Sequence, residues 1–278
     1  VDKMVQQLLS EGDSLQKSEN YNAGLVKFEG ALKLDPNCHA CLIKRGKALM
    51  NVGKFENAIS DFSRAINLSD TLSMAYAHRA TAYTFIQDFE NAFKDATQSN
   101  KINPNNSVPY FIKSAYFMAS NDLSSAIDEM TKLITIHPED PNALKGRAFF
   151  YMSQDQLDSA LQDLDQAVTI NPNDAEIISQ RGILYYKKKN FTIALQDFNK
   201  AIELNSTQPE YYFARAETYA SWGQKESVLP DYNKAIELGS RDFRVYQKRG
   251  ELLQSANKTM EANADFQKAK ELEGLGSQ

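Results

Sequence analysis

The sequence predicts an all-α chain, an α-solenoid of antiparallel helical hairpins stacked one on the next, and three observations carry that prediction. The first is a fixed period: Arg147, Arg181, Arg215 and Arg249 are each 34 residues apart, as are Tyr151, Tyr185 and Tyr219. The second is a small residue at one position of every repeat, flanked four residues before and three after by large apolar side chains. That spacing marks one stripe of a helix. The third is proline at the ends of repeats, where a helix cannot continue.

Extending the period in both directions without insertion or deletion gives eight units: 5–38, 39–72, 73–106, 107–140, 141–174, 175–208, 209–242 and 243–276, with a tail at 277–278. A repeat of this length is one supersecondary unit, and it buries its apolar stripe only by stacking on a neighbour. The first helix of each unit is read from position 8, which is Gly12, Gly46, Ala80, Ser114, Ala148, Gly182, Ala216 or Gly250. Two helices must cross closely there. Position 11 then holds Leu15, Leu49, Tyr83, Phe117, Tyr151, Tyr185, Tyr219 and Leu253, and position 4 holds Leu8, Leu42, Tyr76, Tyr110, Leu144, Ile178, Tyr212 and Tyr246.

Polar turns such as Asn51-Val52-Gly53 and Ser153-Gln154-Asp155 follow. The second helix is read from alanine at position 20 in six units (Ala58, Ala92, Ala126, Ala160, Ala194, Ala262), from Phe28, Phe62, Leu164, Phe198, Tyr232 and Phe266 at position 24, and from alanines such as Ala31 and Ala201 at position 27. Pro36, Pro104, Pro138 and Pro172 close four units. In the seventh unit Pro230 falls within the second helix, which should kink or begin late for lack of one backbone donor. In the eighth, Asn263 and Lys270 replace apolar side chains such as Leu195 and Ile66, so its outer face reads as a cap.

These positions together resemble the tetratricopeptide repeat family over essentially the whole chain. The resemblance implies a right-handed superhelix whose first helices line a concave groove, and a protein that binds protein or peptide partners rather than catalysing a reaction. Two familiar groove types do not match. The places where a chaperone-binding carboxylate clamp would carry Lys, Asn and Arg hold Leu9, Asp13, Lys44, Met74 and His78, which speaks against binding of heat-shock chaperone C-terminal carboxylates. The place of an asparagine ladder reads Ser10, Lys44, His78, Ile112, Gly146, Gln180, Ala214 and Lys248.

Composition narrows the function further. In 278 residues, 42% hydrophobic and 24% charged, 31 basic and 36 acidic side chains give a net charge of -5 without a basic block, so nucleic acid is not an expected partner. No run approaches the length of a membrane span and the first residues lack the apolar core of a signal peptide, so direct membrane insertion is not expected and a cytoplasmic or cytoplasm-facing location is. The chain starts at Val1 and can be a piece of something longer. Five Asn-x-Ser/Thr sequons, at Asn67, Asn105, Asn190, Asn205 and Asn257, would matter only in a secreted protein. No G-x-S-x-G, H-E-x-x-H, P-loop or Rossmann glycine fingerprint is present, so no catalytic residue and no cofactor is assigned. Gly274-Leu275-Gly276 reads as part of a polar tail. Cys38-His39-Ala40-Cys41 has the spacing of half a zinc site or of a redox pair, but three scattered histidines and no second thiol pair leave a metal site incomplete. The two cysteines are therefore read as packed or half-exposed structural residues.

Position 7 is basic in seven units (Arg45, Arg79, Lys113, Arg147, Arg181, Arg215, Arg249), and the same units are acidic at position 23 (Asp61, Asp95, Glu129, Asp163, Asp197, Asp231, Asp265). The first unit inverts both, with Glu11 and Lys27. The joint inversion predicts pairing within a unit, a structural ladder rather than an arginine row gripping an acidic ligand.

The candidate binding residues lie at the positions expected to face the groove. In units two to six these are Met50, Met74, Phe85, Val108, Phe111, Ile112, Met118, Phe149, Met152, Ile183 and Tyr186, whereas the end units are mostly polar there. The expectation is an interaction scaffold or receptor that takes a peptide or a helical segment of its partner against this apolar strip. A mitochondrial-import-like receptor or chaperone-type client binder, a structural subunit of a large assembly, and the regulatory arm of an enzyme are the alternatives.

Overall fold

A computed structural model describes residues 2–275, so the last residue of the eighth repeat and the 277–278 tail lie outside the described residues. The chain divides into two compact units, 1–138 and 139–278. The first contains α1 (Asp2–Lys17), α2 (Tyr21–Leu34), α3 (His39–Asn51), α4 (Phe55–Leu68), α5 (Ser73–Phe85), α6 (Phe89–Ile102), α7 (Val108–Ala119) and α8 (Leu123–Ile136). The second contains α9 (Pro141–Ser153), α10 (Leu157–Ile170), α11 (Ala175–Lys187), α12 (Phe191–Leu204), α13 (Pro209–Trp222), α14 (Val228–Glu237), α15 (Phe243–Ser255) and α16 (Thr259–Leu275). Each odd-numbered helix pairs with the even-numbered helix that follows it, which is the hairpin the period predicts.

One backbone device turns the chain inside every hairpin. The residue at position 15 adopts a left-handed conformation, as glycine at Gly53 and Gly223 but as Glu19, Gln87, Asn121, Asp155, Lys189 and Asn257 elsewhere. The next residue's N–H then reaches back to the carbonyl at position 11, as in Lys54 N to Leu49 O, Asp88 N to Tyr83 O and Asn190 N to Tyr185 O, each 2.8–2.9 Å. This is the Schellman closure of a helix C-terminus. A non-glycine residue pays about 1 kcal/mol for the conformation, and six repeats accept that cost.

The close crossing expected at position 8 has a defined partner, the side chain at position 24. A Cβ built on Gly46 would lie 2.5 Å from Cε1 of Phe62, and those on Gly12, Gly182 and Gly250 would lie 2.4, 3.0 and 2.7 Å from rings of Phe28, Phe198 and Phe266. All four glycines thus face phenylalanine. Where position 8 is Ala80, Ser114 or Ala148, position 24 shrinks or straightens to Ala96, Met130 or Leu164. In seven repeats the pairing is volume compensation inside a core packed too tightly to absorb a methyl group, while the seventh combines Ala216 with Tyr232 in one buried cluster.

Pro230 acts as expected. A 3-10 turn at Lys225–Ser227 replaces the first turn of the second helix, and α14 begins only at Val228. Asn263 and Lys270 are exposed on α16, whereas Leu195 and Ile66 at the same positions are buried. The reading of a polar tail after the last helix is corrected: α16 continues through Gly274 to Leu275, because nothing crowds its last turn and no proline stops it.

Candidate protein-binding surface

An arginine row could serve as a binding site, but here each arginine is already paired within its own hairpin. Arg45 donates from Nε and Nη2 to Asp61 Oδ2 and Oδ1 at 2.7 and 2.6 Å. The same two-pronged pairing joins Arg79 to Asp95, Arg147 to Asp163, Arg181 to Asp197, Arg215 to Asp231 and Arg249 to Asp265. Lys113 Nζ lies 2.6 Å from Glu129 Oε2 as a charge contact without hydrogen-bond alignment. The inverted pair, Lys27 to Glu11, closes at 2.6 Å, and the lysine's hydrogen bond holds the Glu11 carboxyl below its usual range. Carboxylates of the seven regular pairs are only 3–9% exposed. Hydrogen bonds to these aspartates in turn hold the arginines above their ordinary range.

Sequence reasoning missed a third contact of these guanidinium groups. Nη1 of Arg79, Arg181, Arg215 and Arg249 reaches the preceding repeat's second helix at Ser63, Asp165, Asn199 and Asn233, at 2.9, 3.2, 2.7 and 2.9 Å. Position 25, where these acceptors sit, is polar in all eight repeats, and that was the available signal. Each such arginine therefore ties its own hairpin together and fastens it to the one before. The row is spent on structure.

The apolar candidates lie on the odd-numbered helices. Within the first unit, α1, α3, α5 and α7 contact one another in sequence, while the even-numbered helices pack mainly against their odd neighbours. The candidates occupy positions 2, 5, 6, 9, 12 and 13 of the odd-numbered helices. None of the eleven residues is fully buried: Met74, Phe85, Val108, Met118 and Phe149 are exposed, and Met50, Phe111, Ile112, Met152, Ile183 and Tyr186 are half-buried. Met50 packs into a cluster with Phe62 and Ala82, so part of it belongs to the core. Phe85, 61% exposed, stacks at 4.7 Å on Phe55, the first residue of α4. Met74 and Val108 lie toward the N-terminal ends of α5 and α7, and Phe85 and Met118 toward the C-terminal ends of the same helices. Ten or eleven residues at 1.5 Å rise separate the two groups by about 15–17 Å. Between them lie Phe111, Ile112 and His78, whose imidazole stacks on Phe62 and is pushed down to a pKa of about 4 by burial and then by Lys47. It is neutral at physiological pH and adds to the apolar character. Beside this surface a cleft of about 240 Å³ is lined by Asp13, Lys17, Lys44, Lys47 and Asn51, with Lys44 held by Asp13 at 2.5 Å.

In the second unit Phe149 meets Phe150 edge-on at 5.6 Å, and the Tyr186 hydroxyl lies 3.1 Å from Ser221 Oγ. A polar hollow of about 730 Å³ opens near the start of α11 and α13, lined by Glu176, Ser179, Gln180, Glu210 and Tyr211 among others. Other exposed aromatics were not foreseen, namely Phe89 and Trp222. Phe89 and Phe55 share position 17, the first residue of the second helix, where six repeats carry an aromatic or leucine. Among the described residues no group of three or more His, Cys, Asp or Glu is placed to hold a metal ion, and no helix is long and apolar enough to cross a membrane.

The cysteine reading is corrected here. Cys38 and Cys41 are joined as a disulfide, with Cα atoms 5.2 Å apart. Cys38 is the N-cap of α3 and Cys41 lies three residues on, so one helical turn brings the thiols together.

Tetratricopeptide repeat profiles match residues 150–218, 117–179, and 39–71 with 209–238. No curated protein sequence matches the chain. Among solved structures it is similar to a tetratricopeptide repeat protein from Parabacteroides merdae, with a TM-score of 0.65 at 17% identity over 91% of this chain and 98% of that one. It is also similar to a chain of the APC/C hetero-tetramer Cut9-Hcn1 (TM-score 0.67, 12% identity, 95% of this chain and 52% of that one). A third is YrrB, described as having an unusual peptide-binding site (TM-score 0.51, 18% identity, 64% and 92%). Three matching repeat profiles, hairpins of 34 residues in one register and an α-solenoid likeness to solved repeat proteins have one reading: this chain belongs to the tetratricopeptide repeat family.

Proposed function

We propose that the chain is a receptor-like scaffold that captures a peptide or an amphipathic helical segment of a protein partner on the odd-numbered helices of its first unit. The fold itself is that of a protein–protein interaction scaffold. The observation that supports the finer reading is the exposure of Met74, Phe85, Val108 and Met118, each 42–61% exposed, on one row of helices. Each is already about half covered, so burying the rest of the four side chains gains about 0.7–1.5 kcal/mol each. Adaptable methionines beside a rigid phenylalanine suit an apolar helix face better than an extended polar tail.

The experiment selects short peptides against the folded chain from a random library and measures their affinity for the Phe85→Gln/Met118→Gln double variant. Both side chains project from the surface, so helical circular dichroism should stay unchanged while affinity falls by at least ~2 kcal/mol, the scale of a hot spot. Unchanged affinity in a folded double variant refutes the reading. Selected peptides without an apolar face at helical spacing would also count against it.

A further inference from the structure

The structure carries one chemistry that binding does not use. We propose that Cys38 and Cys41 are a reversible thiol–disulfide exchange pair, through which the chain forms a transient mixed disulfide at Cys38 with an aliphatic thiol. The inference stands apart from the peptide-binding reading.

Three observations support it. The bond spans only three residues within a helix start that is already closed without it, since Leu42 N donates to Cys38 O and Cys38 N to Asp35 O. A disulfide closing so short a loop constrains the unfolded chain little, so stapling is a weak reason for it. The two sulfurs are unequal: Cys41 is fully buried in the core of the first repeats, while Cys38 is half-buried at its edge. Cys38 Sγ accepts the Cys41 N–H at 3.1 Å, as the N-cap of a 13-residue helix. A thiolate formed there meets a backbone donor and the positive end of the helix, the environment that makes a cysteine reactive. The charged groups on this turn are Asp35, whose carboxylate accepts from Asn37 N, and Arg64 of α4, which donates to Pro36 O, with the titratable His39 next to Cys38.

The steps balance without any further oxidant. A thiolate attacks Cys38 Sγ, the S–S bond breaks, and Cys41 leaves as a thiolate that takes up a proton. A second thiolate then attacks the outer sulfur of the mixed disulfide, releasing the small-molecule disulfide and the Cys38 thiolate. Two thiols are oxidised and one protein disulfide is reduced. In the reverse direction buried Cys41 resolves the mixed disulfide. It is shielded from reagents but one helical turn from its target.

The test uses the whole chain with glutathione as probe. Reduced glutathione should open the disulfide with helical circular dichroism unchanged, and glutathione disulfide should restore it. Alkylation of the reduced chain, mapped by peptide mass, should modify Cys38 at least about tenfold faster than Cys41. Cys41→Ser should retain one glutathione on Cys38, while Cys38→Ser stays unmodified at the buried thiol. A disulfide that opens only after denaturant unfolds the chain is a staple and overturns the proposal. So do equal alkylation rates, or two thiols that glutathione disulfide never joins. Where Cys41→Ser does not fold, the alkylation order in the unaltered chain decides.

Discussion

Replacing Gly46 with alanine sets two physical effects of opposite sign against each other, and the structure determines which wins. In the middle of a helix the change removes the entropic cost of glycine and is worth about 1 kcal/mol in favour of folding. At Gly46, however, the new Cβ would lie 2.5, 2.7 and 3.0 Å from three ring carbons of Phe62, which is itself fully buried. Carbon atoms pack at about 3.5–4.0 Å, so the ring must retreat by roughly 1 Å into a core with no room. Overpacking of that kind costs about 1–3 kcal/mol and occasionally more, and the contact here is at the severe end. The expected net result is a loss of about 1–2 kcal/mol. Gly30 supplies the control, because its added Cβ would meet only Leu8 Cδ1 at an ordinary 3.5 Å. There alanine should stabilise, by up to about 1 kcal/mol. Urea unfolding followed by far-ultraviolet circular dichroism measures both. Combining Gly46→Ala with Phe62→Leu reproduces the Ala148–Leu164 pairing of the fifth repeat, and should recover at least about 0.5 kcal/mol relative to the sum of the single variants. If Gly46→Ala stabilises as much as Gly30→Ala, or the double variant shows no coupling, the volume-compensation argument is wrong.

The other two predictions concern charge. His78 is held near a pKa of about 4 against an ordinary 6.5, so between those values the unfolded chain binds the proton that the native one refuses. Stability from this group is complete above about pH 6.5, falls as pH drops toward 4, and amounts to at most about 3 kcal/mol; His78→Phe should flatten that part of a stability-against-pH curve measured by urea titration. Asp197, 6% exposed, carries both prongs of Arg181, whereas Asp165, 47% exposed, takes only its third nitrogen. Asp197→Ala should therefore cost about 3–5 kcal/mol and Asp165→Ala no more than about 1; equal losses in the same assay would show that the ladder is not what fastens the sixth hairpin.

How much of this was legible depends on whether a residue type or only a backbone state carries the information. The period, the two helices of each hairpin and the pairing of positions 7 and 23 were readable because arginine, aspartate and the small residues recur as letters. Joint inversion at Glu11 and Lys27 identified the partner from the sequence alone. The left-handed residue of each turn was readable only at Gly53 and Gly223. At Glu19 or Lys189 the Schellman closure imposes the conformation and the side chain does not announce it. The third hydrogen bond of Arg79, Arg181, Arg215 and Arg249 hid behind chemical variety, since serine, aspartate and asparagine serve equally as acceptors. On the candidate surface, spacing gave the helix face but not the depth: Met50 and Phe85 look alike on a wheel, yet one leans into the core and the other is largely in water. For the cysteines, counting ligands argued against zinc but gave no distance between two thiols one turn apart.

Comparison among the repeats themselves separates what the fold requires from what is free to differ. Positions 7, 8, 20, 23 and 24 carry interactions inside and between hairpins, and there the units differ little or in compensating pairs, Ala216 with Tyr232 in the seventh being the exception. Position 6, on the odd-numbered helices, runs Ser10, Lys44, His78, Ile112, Gly146, Gln180, Ala214 and Lys248. Almost no chemical property is shared along that row. Lys44 pairs with Asp13 and His78 stacks on Phe62 of the preceding repeat, but the ladder, present in every unit, holds the repeats whatever stands at position 6, so each side chain there can change without unfolding the array. A surface whose composition the fold does not dictate can vary from unit to unit to suit a ligand. This is the physical reason for seeking partner recognition on α3, α5 and α7, and for expecting substitutions there to alter binding with little effect on folding.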